Sequence, residues 1–248
     1  MRLSAIFSDY DGTLAPIDVP RRSSRIRPRL ERALKRLAAE VPIAIVTSKG
    51  YDFVRPRTSF ADGWACACGL DIRAGGETAS VSRVKSLERV VPLLETNGFE
   101  ERSIEEKRDS DGRLVAICVD WRNAHRPGAD AMKFLTGLRR KGFFVSSPPG
   151  EPFVDVFAGK PDKGRAIKEL KRMLGVSAPA LYLGDSSVDN SAFRVAEVSV
   201  GVSSGQETSS LACDYLVDFD RLPTFLDSLS ERSLEFAPDL VGLRPRRV

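Results

Sequence analysis

Four separated clusters of side chains have the types and spacing of a phosphoryl-transfer site. Asp9 and Asp11 stand in the N-terminal stretch MRLSAIFSDYDGTL, and Thr47 and Ser48 follow a short apolar run. Lys163 comes after another such run, and Asp185 precedes Asp189 by four residues, about one helical turn. Hydrolysis of a phosphate monoester needs an oxygen nucleophile, charge neutralisation at the phosphoryl oxygens and a proton for the departing alkoxide. A carboxylate nucleophile divides one difficult displacement into two easier transfers, and Asp9 is the candidate. Asp11 can curl back over the site because Gly12 frees the backbone, so it suits protonation of the leaving group and then deprotonation of water. Carboxylates repel a dianionic phosphate unless cations intervene. A hard divalent ion with few protein oxygens and several waters fits, which points to Mg²⁺. Asp9, the Asp11 carbonyl and Asp185 are assigned as its ligands, with Asp189 acting directly or through water. Lys163 is expected to pair with phosphate oxygens and Asp9, and the Thr47 hydroxyl with adjacent N–H groups, Ser48 included, to hold another phosphate oxygen.

Taken singly, these residues are ordinary. An aspartate after a strand commonly caps a helix or forms a turn, and a lysine opening a helix is commonly solvated. What makes them a set is that all four clusters occur in order, each directly after an apolar strand.

Such clusters need elements that bring strand ends together. Leu3–Ser8 reads as a buried parallel strand, Pro28–Ala39 as an amphipathic helix and Ile43–Val46 as a second strand. Another helix follows the Thr-Ser-Lys-Gly turn, then short strands at Trp64–Cys68 and Leu70–Arg73. The middle changes character. A helix over Ser82–Asn97 is followed by Glu100–Lys107 and Leu114–Trp121, which flank an Asp-Gly hairpin signal at Asp111-Gly112. A helix over Gly128–Lys141 and a strand at Phe143–Ser146 complete a small α+β unit. Alternation then resumes with strand Phe153–Phe157, helix Lys163–Leu174, strand Ala180–Leu183, helix Ser186–Ala196 and strand Val198–Val202. Asp220–Ser230 reads as a closing helix. The expected fold is α/β, a Rossmann-like doubly wound parallel sheet at 1–78 and 152–248, with an inserted α+β cap at 79–151. Gly75-Gly76 and Pro148–Gly150 read as hinges. Ligands of such sheets bind beyond the carboxyl ends of the strands.

The bulk numbers suit this reading. The 248 residues accommodate a core with a smaller insertion, 42% of them are hydrophobic, and the net charge of +4 is a mild excess. The basic residues fall in short runs, Pro20–Arg29 and Arg244–Arg247, without the aromatic-interleaved stripe of a nucleic-acid binder. The N-terminal apolar stretch is too short for a signal peptide or a membrane span, so a cytoplasmic protein is expected. Four cysteines and the single His125 lack zinc-ligand spacing. Cys66 and Cys68, two apart in an expected strand, are read as packing residues on one face.

The motifs themselves resemble those of the haloacid dehalogenase superfamily. DYDGTL at 9–14, VTSKG at 46–50, DKG at 162–164 and GDSSVDN at 184–190 match its first to fourth motifs. The resemblance implies a Rossmann-like, Mg²⁺-using phosphotransferase with an α/β cap between the second and third motifs. Within the superfamily the chain is most similar to trehalose-6-phosphate phosphatases, which carry a Glu-x-Lys cap segment, a later strand ending in arginine, and an acidic residue before the third-motif lysine. Glu105, Lys107, Arg122 and Asp155 match these positions, which implies contacts to sugar hydroxyls; a solvent-facing Glu105/Lys107 pair is the ordinary alternative. Two departures stand out. Thr47-Ser48-Lys49 replaces the usual Ser-Gly-Arg, and Gly184-Asp185-Ser186 resembles instead mannosyl-3-phosphoglycerate phosphatases and sucrose-phosphatase relatives. The partner implied is a small phosphorylated metabolite. A metal-dependent glycosyltransferase would leave Lys163 and Asp185 unexplained, and a phospho-receiver module would be about half this length.

Overall fold

In the computed structural model, which describes all residues except 18, 20–22, 81–84, 123, 148–149, 178, 207 and 247–248, the chain is organised on two β-sheets. The first half supplies β1 (Ala5–Ser8), α1 (Pro28–Ala38), β2 (Ile43–Val46), α2 (Tyr51–Val54), β3 (Gly63–Cys66), β4 (Asp71–Ala74) and β5 (Glu77–Ser80). The middle supplies α3 (Val91–Thr96), β6 (Ile104–Arg108), β7 (Leu114–Asp120), α4 (Ala129–Gly137), β8 (Phe144–Ser146) and β9 (Phe153–Phe157). The last part supplies α5 (Lys163–Met173), β10 (Ala180–Gly184), α6 (Asn190–Phe193), β11 (Val198–Ser203), β12 (Tyr215–Asp218), α7 (Leu222–Glu231) and β13 (Leu243–Pro245).

The larger sheet has the order β13-β12-β11-β10-β1-β2-β3-β4-β5. Its six central strands, from β12 to β3, are parallel, and the edge pairs β3–β4, β4–β5 and β12–β13 are antiparallel. Strands β1, β2 and β10 are buried along their whole length, as strands covered on both faces must be. Alternate residues feed two cores. Ile6, Ile43 and Leu181 pack toward α1 and α7, while Phe7, Ala44 and Tyr182 pack toward α5 and α6. This is the doubly wound arrangement read from the sequence. On α1 the buried stripe is Leu30, Ala33, Leu34 and Leu37, with Pro28 at its first turn and Lys35 and Arg36 at its last, where the helix dipole favours cations. The strand order reverses between β1 and β10, where a doubly wound sheet opens its ligand crevice.

The smaller sheet, β6-β7-β9-β8, is antiparallel, and its strands cover a separate core that includes Leu94, Ile117, Val119, Leu135 and Val154. Here the structure corrects several expectations. Phe153–Phe157 belongs to this sheet and not to the parallel one, because it pairs with β7 and β8. The segment Pro148–Gly150, of which 148–149 lie outside the described residues, therefore falls in sequence between two paired strands of one sheet, β8 and β9, and not at a hinge between sheets. Gly75-Gly76 is likewise not a hinge between sheets. Both residues have positive φ, 59° and 80°, and form the tight turn of the β4–β5 hairpin. The chain leaves the larger sheet after β5. The helix expected over Ser82–Asn97 is confined to Val91–Thr96 among the described residues.

Cys66 and Cys68 do not share a strand face. The strand ends at Cys66, and Ala67 and Cys68 take left-handed backbone angles, φ 47° and 53°, so Cys66 packs under the large sheet while Cys68 meets Val115, Ala116 and Phe157 of the smaller one. Both are buried, in keeping with a packing role. The C-terminal tail, unplaced by sequence, adds β13 to β12 and ties back to the N-terminus through Leu3 N donating to Leu234 O at 2.9 Å. No helix among the described residues is long and apolar enough to cross a membrane.

Leu34 is fully buried between α1 and the sheet. Replacing it with alanine is expected to cost about 2–5 kcal/mol, read as a lowered denaturant midpoint with an unchanged slope.

Candidate active site at the strand switch point

Strand register brings the separated clusters together. Ser8 pairs with Leu183 and with Ile45, so β10, β1 and β2 end at one level, and Asp9 N donates to Leu183 O at 2.9 Å. Asp9 thus lies beside the Gly184-Asp185 step. After Asp9 the chain turns back on itself: Leu14 N and Ala15 N both donate to Tyr10 O at 2.9 Å. Gly12 makes that turn possible. Its φ is +76°, and a Cβ there would stand 2.2 Å from Asp185 Oδ2, so no other residue fits. Gly184 is constrained in the same way, since its Cβ would lie 2.6 Å from Asp189 Cγ.

Lys163 opens α5 beneath the switch point, with its Nζ 2.8 Å from Asp9 Oδ2 and 2.7 Å from Asp189 Oδ1. Tyr10 N donates to Asp9 Oδ1 at 2.7 Å, which fixes the carboxylate from its other side. Both Asp189 oxygens are engaged. Oδ1 also accepts from Tyr182 OH at 2.6 Å, and Oδ2 accepts from the amides of Asp185 and Ser186 and from Ser186 Oγ. Asp189 is therefore a fully buried anchor for the fourth-motif turn. Thr13 Oγ1 donates to Asp185 Oδ1 at 3.0 Å. The buried Thr47 closes its own loop, its Oγ1 accepting from Lys49 N at 3.2 Å.

The charge balance is the main property of this centre. Carboxylate oxygens of Asp9, Asp185 and Asp189 lie within 4.8 Å of one another, all three residues are buried, and the one ammonium placed among them is that of Lys163. With all three carboxylates ionised, three negative charges against one positive leave a deficit of two. Burial pushes the Asp9 carboxyl up from 3.8 to about 7; Lys163 opposes that shift and Asp189 adds to it. Burial, then Asp189 and Asp9, likewise holds Asp185 well above the ordinary carboxylate range. Lys163 stays protonated because the two aspartates outweigh its own desolvation. An oxygen-only donor set lacking two positive charges fits a hard divalent cation, with Asp9 and Asp185 facing the cleft to receive it.

The cleft above this centre measures about 1300 Å³. Asp9, Asp11, Ser48, Lys49, Lys163 and Asp185 form its floor, and the smaller sheet roofs it with Lys107, Cys118, Phe153, Asp155 and Phe157. Lys107 Nζ meets Asp155 Oδ1 at 2.8 Å, both residues buried, and Asp155 outweighs desolvation to hold the ammonium above its ordinary range. Lys107 and Asp155 thus form a buried pair facing the cleft. Glu105 and Asp155 both stand opposite Cys118 on the strands either side of β7. Arg122 lines the cleft, but its guanidinium is paired with Asp120 at 2.6 Å and donates to Ile17 O at 3.1 Å, bridging the two sheets' segments.

Sequence reasoning passed over Thr13, Tyr182 and Lys49. Thr13 sits within DYDGTL and was open to notice there. Tyr182 had no signal, because a tyrosine inside an apolar strand reads as core until its hydroxyl is seen on Asp189.

Known structures show the same architecture. The C-terminal domain of trehalose-6-phosphate phosphatase from C. albicans matches with a TM-score of 0.70 at 18% identity, over 93% of this chain and 92% of that one. A subclass IIB sugar phosphatase of the haloacid dehalogenase superfamily matches with a TM-score of 0.63 at 18% identity, over 94% and 100% of the two chains. At such identities the likeness concerns the fold, which is that of the haloacid dehalogenase superfamily with an inserted second sheet. The sequence narrows this further: the trehalose-phosphatase family model matches residues 7–216, and the chain belongs to that family. The trehalose-phosphate phosphatase of Mycobacterium tuberculosis is 27% identical over 214 residues, which cover 78% of this chain and 51% of that protein. The chain spans about half the length of the curated relatives it matches.

The raised Asp9 carboxyl has a consequence for stability. Its folded pKa, about 7, exceeds the ordinary 3.8, so the folded state binds that proton more tightly than the unfolded one. The resulting stabilisation is fully present below about pH 3.8 and is lost as pH rises through about 7. Cation-free protein should therefore show an Asp9-dependent fall in thermal midpoint across that window, absent in Asp9→Asn, and added divalent cation should remove most of it.

Proposed function

We propose that this chain hydrolyses a sugar phosphate monoester, trehalose 6-phosphate first among them, through an aspartyl-phosphate formed on Asp9 with Mg²⁺ as the divalent ion. The observation that carries the reading is the buried group of three carboxylates around one lysine, short of two positive charges, at the floor of an open cleft. Family membership and the names of the relatives supply the substrate class. Bound Mg²⁺ would offset the charge of the phosphoryl oxygens next to the carboxylates.

The chain's own residues do the rest. Tyr10 N–H and Lys163 hold the Asp9 carboxylate at the cleft floor, where one oxygen attacks phosphorus and the bond to the sugar oxygen breaks. Asp11, at the cleft floor and two residues beyond Asp9, gives its proton to the departing alkoxide. It then takes a proton from the water that attacks the phosphoryl group, releasing phosphate and restoring Asp9. The Ser48 segment and Lys163 hold phosphate oxygens during both transfers. The buried Lys107–Asp155 pair in the roof offers an ammonium and a carboxylate to sugar hydroxyls, in the alternation of donor and acceptor that a polyol requires.

Phosphate release from p-nitrophenyl phosphate should require Mg²⁺ and stop on chelation. Asp9→Asn should lower it by about 10³-fold or more. Asp11→Asn should lower turnover of a sugar phosphate by about 10²–10⁴-fold. Undiminished turnover by Asp9→Asn would remove the covalent mechanism. In a panel of trehalose 6-phosphate, mannosyl-3-phosphoglycerate and glucose 6-phosphate, the first should give the highest kcat/KM; a preference for the second would reassign the substrate while leaving the chemistry in place.

A further inference from the structure

We propose that Lys49 is a positioning residue for Asp11, orienting the proton-transfer carboxyl as Lys163 orients the nucleophile; this rests on the reading of Asp9 and Asp11 given above. Lys49 occupies the third place of Thr47-Ser48-Lys49, where the family pattern has arginine. Its Nζ lies 3.3 Å from Asp11 Oδ2, and Ser24 Oγ approaches Asp11 Oδ1 at 3.4 Å, so the carboxylate is held from two sides. Asp11 projects from a turn into the cleft, with its side chain 22% exposed. Without such contacts it would sample several rotamers, of which few point at a leaving-group oxygen.

Lys49 is built to provide that contact. A surface lysine loses about as much rotamer entropy in pairing as it gains in attraction, but this side chain is only 12% exposed, and its ammonium lies 5.4 Å from the Phe53 ring centroid. Its backbone is fixed as well. Lys49 N donates to Thr47 Oγ1 at 3.2 Å, and Ala67 N donates to Lys49 O at 2.9 Å. One residue on, Cys68 N donates to Thr47 O at 2.8 Å. These last two donors belong to the left-handed pair Ala67 and Cys68, a conformation that L-residues keep only where surrounding structure demands it. The strained turn after β3 thus clamps the loop that carries Lys49. The same loop meets the roof, since a Cβ on Gly50 would lie 3.6 Å from Lys107 Cγ.

Two lysines therefore divide the work. Lys163 holds the carboxylate that attacks phosphorus, and Lys49 the carboxyl that serves the other side of the phosphorus, where the sugar oxygen leaves and water arrives. The division makes a chemical prediction. An alkoxide leaving group needs a proton, whereas p-nitrophenolate departs without one. A misplaced Asp11 therefore slows formation of the aspartyl-phosphate from the first substrate and spares it from the second, while the later attack of water, which Asp11 also serves, slows alike for both.

The test is the single-turnover rate of leaving-group release, with KM beside it, for trehalose 6-phosphate and p-nitrophenyl phosphate with wild type, Lys49→Met, Lys49→Arg and Asp11→Asn, all with saturating Mg²⁺. Lys49→Met is expected to lower the rate of sugar release by about 10- to 100-fold with little change in KM, and to lower the rate of p-nitrophenolate release in the first turnover less than about threefold. Lys49→Arg, which restores a cation of similar reach, is expected to recover most of the loss. Equal losses on both substrates would overturn the proposal by placing Lys49 on the phosphoryl group or in the fold. A raised KM at an unchanged release rate would overturn it by making Lys49 a substrate-binding residue. If Asp11→Asn discriminates between the substrates and Lys49→Met does not, only the positioning role falls; if Asp11→Asn does not discriminate, the acid/base reading of Asp11 falls with it.

Discussion

The centre of this molecule is an electrostatic imbalance that the fold maintains at a cost. Asp9, Asp185 and Asp189 are buried within reach of one another, and Lys163 alone among them is positive. Burying like charges together is unfavourable, by several kcal/mol per ion if unpaired, unless a counter-charge arrives. Much of the neighbourhood serves to make that arrangement tolerable. Tyr182 OH, Thr13 Oγ1 and the amides of Tyr10, Asp185 and Ser186 each donate to one of the three carboxylates. What hydrogen bonds do not cancel is a residual negative charge of the kind that suits a hard divalent cation.

The large sheet exists, in functional terms, to hold that imbalance still. Parallel strands β10, β1 and β2 end at one height, and their helices approach from opposite faces, so loops from distant parts of the sequence meet above a rigid floor. Close approach does the rest. Gly12 and Gly184 let backbone pass where any side chain would collide with Asp185 or Asp189.

The smaller sheet supplies a contrasting face. One side packs an apolar core, and the other brings Lys107, Asp155, Phe153 and Phe157 over the cleft. Its ion pair is buried and reciprocal, so each side chain holds the other in place facing the cleft. Contact with the floor is made through Ala67 and Cys68, packed on Val115, Ala116 and Phe157, and through Arg122 on Ile17 O. The roof and the second-motif loop are thereby parts of one packing unit.

How much of this was legible beforehand follows from the range of the forces involved. Sequence by itself determined the strands that carry Asp9, Thr47 and Asp185, the doubly wound core and the four motif clusters, because apolar runs and helical stripes are local patterns and a strand buried on both faces has few other readings. It also determined that the middle of the chain forms a hairpin-based antiparallel unit. Tertiary structure decided which sheet β9 joins, since a short apolar strand carries no mark of its partner and only pairing with β7 and β8 assigns it. It decided that Gly75-Gly76 turns a hairpin, that Cys66 and Cys68 part company at a left-handed turn, and that Asp189 anchors a turn with both its oxygens engaged. Those outcomes depend on contacts between residues far apart in the chain, for which the free energy resides in pairing and burial and leaves no trace in local spacing.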